Sequence, residues 1–247
     1  MTEDRTLRLD AVARALDYPY AAPAGSFLFR DGRAEPYQPP GREAHGLRVP
    51  VIGYGSNRAP VQLARKYSGA ARIPVEAAWL EGFDAVHAAR LSGYGAVPAT
   101  LAPCPGCRVA VKLVWLALDQ LPAMHASEAI GVGYDFGVLE APVRAEHSGL
   151  LPRAFVYIAR SGAFAPDGEP LALDGLAAEG RRWRAAGQAE VQARMRTALA
   201  PAEPLEAFLL AHIEDRALRQ ERAAWLVKSA LPWQESRFRP LSAEDPL

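Results

Sequence analysis

Val51-Ile52-Gly53-Tyr54-Gly55-Ser56-Asn57 is the stretch on which the reading of this chain turns. An apolar, β-type run from Leu47 to Ile52 stops in Tyr-Gly-Ser-Asn, and a helical pattern follows from Pro60 to Tyr67. A strand that ends in a glycine turn and opens a helix gathers unpaired backbone N–H groups at one point, which makes a cradle for an anion. Glycine lets the backbone approach a ligand closely, and Ser56 and Asn57 add polar side chains to the same edge. Gly-Ser-Asn is also ordinary turn chemistry. The turn alone therefore leaves both a site and a plain loop open. If it is a site, its ligand carries a carboxylate or another anion.

Outward from this turn, the pattern predicts strands over 47–53, 76–88, 99–101, 109–117, 138–144 and 154–158, with helices over 60–67 and 118–127. Pro122 suits an early turn of the second helix. Cys104-Pro105-Gly106-Cys107 lies between two β-type runs and reads as a hairpin turn that carries thiols. A reversible disulfide or adventitious metal binding is the alternative. Upstream, residues 3–16 have a helical pattern, 25–45 read as loop, and a short strand fits 26–30. Downstream of Pro170 the character becomes helical, with Asp174 as N-cap of a helix to Thr197 and a second helix over 205–231. This divides the chain into an N-terminal extension (1–46), a core (47–170) and a helical C-terminal extension (171–247).

The 247 residues are half hydrophobic and carry no net formal charge, as expected of a soluble globular protein. No basic stretch stands out to neutralise phosphates, so nucleic acid is not an expected partner. No apolar run reaches spanning length and the polar N-terminus lacks a signal pattern, so neither a membrane nor export is expected, and a cytoplasmic location follows. Two cysteines and five histidines without metal spacing imply no metal site. Trp183, Trp225 and Trp233 read as packing anchors.

Three landmarks recur in one order. The first is Tyr54-Gly55-Ser56-Asn57 with its helix Pro60-Val61-Gln62-Leu63-Ala64-Arg65-Lys66. The second is Val97-Pro98-Ala99-Thr100-Leu101 with Pro105-Gly106 and the strand after it. The third is Met124-His125-Ala126-Ser127-Glu128-Ala129, with Tyr134 six residues beyond the glutamate and then Val138 to Val143. Together they resemble the γ-glutamylcyclotransferase-like family over about half the chain, Gly46 to Ala163. The chain departs from the family pattern at Arg58 (usually apolar), His125 (often Asp) and Ala129 (often Gly).

The resemblance implies an α+β fold, a small mixed barrel-like β-sheet with flanking helices, to which the C-terminal helices are an addition. It implies an enzyme that needs no cofactor and converts a γ-glutamyl amine or peptide to 5-oxoproline, releasing the amine. Glu128 is the implied catalytic acid/base, and Tyr54, Gly55, Ser56, Asn57 and Tyr134 the substrate-binding residues. In that chemistry the α-ammonium must lose a proton, an oxyanion needs donors, and the leaving nitrogen must gain a proton. Glu128 ends an apolar helical segment, so burial is expected to raise its pKa towards the range of a general base. Tyr134 would orient Glu128 or the substrate, or pack as a ring wall, and His125, one helical turn before Glu128, could tune it. The contrasting reading is a non-catalytic metabolite-binding or regulatory member that uses the C-terminal helices for a partner or for self-association.

Overall fold

The computed structural model describes residues 2–37, 46–67, 69 and 71–242, without the side chains of 2–5. The end of the expected 25–45 loop, including His45, lies outside the described residues. The chain runs α1 (Thr2–Leu16), β1 (Phe27–Arg30), β2 (Arg33–Pro36), β3 (Val49–Gly53), α2 (Pro60–Lys66), β4 (Arg72–His87) and β5 (Ala99–Leu116). It continues through α3 (Leu121–Glu128), β6 (Tyr134–Leu139), β7 (Val143–Ala145), β8 (Gly149–Leu151) and β9 (Ala154–Ala159). Short strands follow, β10 (Ala163–Phe164), β11 (Ala172–Leu173), β12 (Ala178–Glu179) and β13 (Ala185–Ala186). Last come α4 (Gln188–Leu199), α5 (Leu205–Glu214), α6 (Arg216–Val227), β14 (Ala230–Leu231) and β15 (Phe238–Pro240).

The class is α+β, and the sheet is mixed. Its main path is β13-β11-β4-β5-β3-β9-β6-β15, open at both ends rather than closed into a barrel. The spine is the long antiparallel pair β4–β5, with Val75 opposite Val114 and His87 opposite Ala99. These strands alternate Val, Ile, Leu and Phe between two apolar clusters, one on each face. β3 lies between β5, antiparallel, and β9, parallel. That central place buries Val51 and Ile52 and delivers Gly53 to the edge where the sheet meets α2 and α3.

Two local expectations are corrected. Cys104 to Cys107 is not a hairpin turn, because the residues on both sides of it pair with the same strand, β4, across a bulge between Glu81 and Phe83. The two cysteines are disulfide-bonded within β5. The helix expected over 174–197 begins only at Gln188, because Ala178–Glu179 and Ala185–Ala186 are used as strands against β5 and β11. Asp174 caps no helix, and its carboxylate accepts from Gly175 N at 2.8 Å. The helix expected over 205–231 is broken at Asp215, whose carboxylate caps α6 through Ala217 N (2.7 Å) and Leu218 N (3.1 Å). Among the described residues no helix is long and apolar enough to cross a membrane, and no cluster of His, Cys, Asp or Glu could hold a metal ion.

Candidate active site

The end of β3, the α2 face of Gln62, Arg65 and Lys66, and the C-terminal end of α3 meet around a cavity of about 390 Å³. Tyr54, Gly55, Ser56, Asn57, Glu128 and Tyr134 all line it, so residues 80 positions apart in sequence share one space. After Gly53 the chain makes a 3-10 turn over Ser56–Arg58 and enters α2 at Pro60, whose missing N–H costs nothing at a first-turn position. The N–H groups of Gly55, Ser56 and Asn57 find no partner among the described residues. Glycine at 55 is a steric requirement: a Cβ there would collide with the Tyr18 hydroxyl, which accepts from Ala99 N at 2.8 Å.

Glu128 ends α3, just before Ala129 turns into the left-handed region (φ 48°). Its side chain is 14% exposed. Oε1 accepts from Lys66 Nζ at 2.5 Å and from Asn57 Nδ2 at 3.1 Å, while Oε2 has no partner among the described residues. Lys66 also reaches Asn57 Oδ1 (2.5 Å) and Met124 Sδ (3.2 Å), and its side chain is 2% exposed. The expected rise in the Glu128 pKa is corrected. Burial does push it up, but the Lys66 charge, the hydrogen bonds from Lys66 and Asn57 and the field of Arg90 hold it below the ordinary carboxylate range. Glu128 is ionised at neutral pH.

The tyrosines form walls rather than partners of Glu128. Tyr134 donates its hydroxyl to Ala99 O at 3.0 Å, Tyr54 donates to Tyr157 O, and burial raises both pKa values well above 10. His125 turns away from Glu128. Its Nδ1 meets the Tyr157 hydroxyl at 2.7 Å, its ring packs on Phe136, and burial lowers its pKa. Arg58 does not reach the cavity.

Sequence reasoning missed the cations. Arg14, Arg65, Lys66 and Arg90 line the cavity against the single carboxylate of Glu128. Three of them sit over aromatic rings: Arg14 over Tyr94 (4.6 Å), Arg65 over Tyr20 (4.8 Å) and Arg90 over Tyr134 (4.9 Å). None of these three guanidinium groups has a carboxylate partner among the described residues. Lys66 had a signal, one turn of helix beyond Gln62 on the face that follows Asn57. Arg90 had none.

The wall over 92–98 is fastened from behind by the C-terminal helices. Gln188 bonds Val97 N (3.0 Å) and Val97 O (2.6 Å), Gln192 donates to Gly95 O (2.7 Å), and His212 Nε2 meets the same carbonyl (3.2 Å). Gly95 has φ +87°, and a Cβ there would strike Ile213. The C-terminal helices contribute no residue to the cavity lining.

No family model and no curated protein matches this sequence. Solved structures similar to it include a gamma-glutamyl cyclotransferase, 14% identical over 80% of this chain and 95% of that one, with a TM-score of 0.37. An uncharacterized human protein is 15% identical over 80% and 95%, with a TM-score of 0.35. An Arabidopsis thaliana protein solved in solution is 22% identical over 46% and 69%, with a TM-score of 0.36. Overlaps this loose carry no argument about chemistry, which rests on the residues themselves.

Proposed function

We propose that the cavity cyclises γ-glutamyl amines or peptides to 5-oxoproline, with Glu128 carrying the proton. The observation that carries this reading is a carboxylate, 14% exposed and ionised, that lines one cavity with the 55–57 turn; its Oε2 and the three backbone N–H groups of that turn have no partner among the described residues. The substrate's α-ammonium donates to Oε2 and gives up its proton. Its nitrogen then attacks the γ-carbonyl carbon, the new C–N bond closes the ring, and the old amide C–N bond breaks. The proton held by Glu128 goes to the leaving nitrogen, and the ring nitrogen gives its second surplus proton to the same carboxylate, which passes it on so that the amine departs as its ammonium.

Lys66 makes Glu128 a weaker base but keeps it ionised and oriented. The cations that surround the site also disfavour the substrate's ammonium, which narrows the gap across which the proton moves. Arg90, free of any carboxylate among the described residues, suits the α-carboxylate. The N–H groups of 55–57 then face the developing oxyanion. Anchoring both ends of the glutamyl unit favours ring closure by proximity. The non-catalytic alternative expects a solvent-facing Glu128 or a cavity plugged by the C-terminal helices. A 14% exposed glutamate and a lining drawn from residues 14–157 favour the enzyme.

The test is 5-oxoproline release from a panel of γ-glutamyl amines and peptides, wild type beside Glu128→Gln. Release by the wild type, with a loss of about a hundredfold or more in the variant, supports the reading. A folded wild type that releases none overturns it in favour of the binding protein. Free glutamate as product selects hydrolysis by the same carboxylate.

A further inference from the structure

Behind the Tyr54–Arg58 turn lies a second cavity, of about 610 Å³. β4, β5, the 22–24 segment and the 175–177 turn enclose it, with Ala22, Ala78, Trp79, Val111 and Leu176 as apolar wall. Three cations line it: Arg144, which pairs with Glu81, and two more. Lys112 is 5% exposed and donates to Ala24 O (2.7 Å) and Gly25 O (2.8 Å). Arg58 donates to Tyr20 O (3.4 Å) and Gly175 O (3.2 Å), and its Nε is buried with no partner among the described residues.

All four acceptors are neutral carbonyls. Neither cation has a carboxylate within ion-pair distance among the described residues. The charged groups at the rim are already engaged, Glu146 with Ser26 N (3.0 Å) and Oγ (2.6 Å), and Arg144 with Glu81. Burial lowers the pKa of Lys112 to about 8, with Arg58 pushing the same way and Glu146 opposing, and it lowers that of Arg58 as well. A buried charge and a half-buried one held without a counter-ion are costly, and an anion that enters the cavity supplies one. One ammonium N–H and, on Arg58, the Nε–H and the two Nη1 N–H groups remain to bond it. The apolar wall asks for an apolar body behind that anion.

We propose that this second cavity binds a small monocarboxylate with an apolar body, its carboxylate shared between Lys112 and Arg58. The site is separate from the one around Glu128, although Arg58 follows Asn57 in the same 3-10 turn. Binding is measured by calorimetry on the full chain at neutral pH, so it does not depend on turnover. The probe is octanoate, with octanamide and acetate as partners that lack the charge or the body.

The expected result is saturable one-to-one binding of octanoate, weaker by about tenfold or more for either control. Lys112→Met weakens octanoate by a similar factor. Ala177→Trp, at an exposed position on the lining, fills the space without touching either cation and abolishes binding. Arg90→Met, in the first cavity, leaves binding unchanged. No saturable binding, octanamide or acetate bound as tightly as octanoate, or binding that survives Ala177→Trp overturns the proposal. So does loss of binding in Arg90→Met, which moves the ligand to the first cavity. Should Lys112→Met fail to fold, Ala177→Trp and the two control ligands still decide.

Discussion

Replacing Glu128 by Gln perturbs the fold as well as the chemistry, and the two effects can be separated. Lys66 has its Nζ 2.5 Å from Glu128 Oε1 and a side chain that is 2% exposed. At an effective dielectric constant of about 20, that separation is worth roughly 7 kcal/mol of gross attraction, most of which desolvation takes back. Removing one partner of such a pair typically costs about 3–5 kcal/mol, because the other charge is left buried. Gln keeps an amide oxygen that can accept from Lys66, so a loss of about 2–3 kcal/mol is expected, or roughly 4–12 °C in Tm for a chain of this size. Adding Lys66→Met removes the stranded charge and restores stability to within about 1 kcal/mol of wild type. Thermal and urea unfolding of the four proteins measure the cycle. The Glu128 pKa is depressed in the fold, so the pair's contribution is complete above the unfolded carboxylate value and is lost as pH falls through the lower folded value. The gap between wild type and Glu128→Gln should therefore close in acid. A double variant as stable as wild type but without turnover assigns the lost activity to the missing base. An unchanged Tm in Glu128→Gln, or single effects that simply add, would refute the pairing argument.

Gly55→Ala drives a Cβ into the Tyr18 hydroxyl and breaks its bond from Ala99 N, and should cost about 1–3 kcal/mol and most of the activity, read by unfolding and by 5-oxoproline release. Ala129 sits at φ 48°, where a left-handed L-residue costs about 1–2 kcal/mol. Ala129→Gly relieves that strain and gives back part of it as unfolded-state entropy, so a net gain of about 0.5–1 kcal/mol is expected in urea unfolding. His212, fully buried, has its pKa pushed down to about 4, by burial first and then by the charges of Arg222 and Arg219, with Gly95 O opposing. Between that value and the ordinary 6.5 the unfolded chain binds a proton that the fold refuses. Stability should therefore fall, by at most about 3 kcal/mol, as pH drops from 6.5 to 4. His212→Gln should flatten that part of the stability–pH curve, and an unaltered slope would show that the histidine is not its source.

What the sequence made legible is what local chemistry can encode. An apolar run, a glycine turn and Pro60 are enough to write strand, turn and helix, and the spacing from Glu128 to Tyr134 puts a helix end beside a strand start. What depends on partners far along the chain stayed hidden. Burial of Glu128 was foreseen, but the sign of its pKa shift was not, because Lys66 lies 62 residues away and only the fold brings it within 2.5 Å. Cys104 to Cys107 looked like a turn because a proline and a glycine between apolar runs punctuate a bulged strand in the same way as a hairpin, and only the shared partner β4 distinguishes them.

The C-terminal helices show the same limit in its most consequential form. Gln188 and Gln192 carry the composition of a solvated helix face, yet both are buried, because Gln188 partners Val97 N and O and Gln192 joins His212 on Gly95 O. Burying these amides is stable only if the loop stays, and the loop holds its shape only if the amides stay. Tyr94, at the cavity wall, is thus held in part by groups that do not line the cavity. The C-terminal helices therefore serve this site from behind its wall rather than over its mouth. A lining free of these helices among the described residues is compatible with the proposed entry of a γ-glutamyl substrate and release of two products.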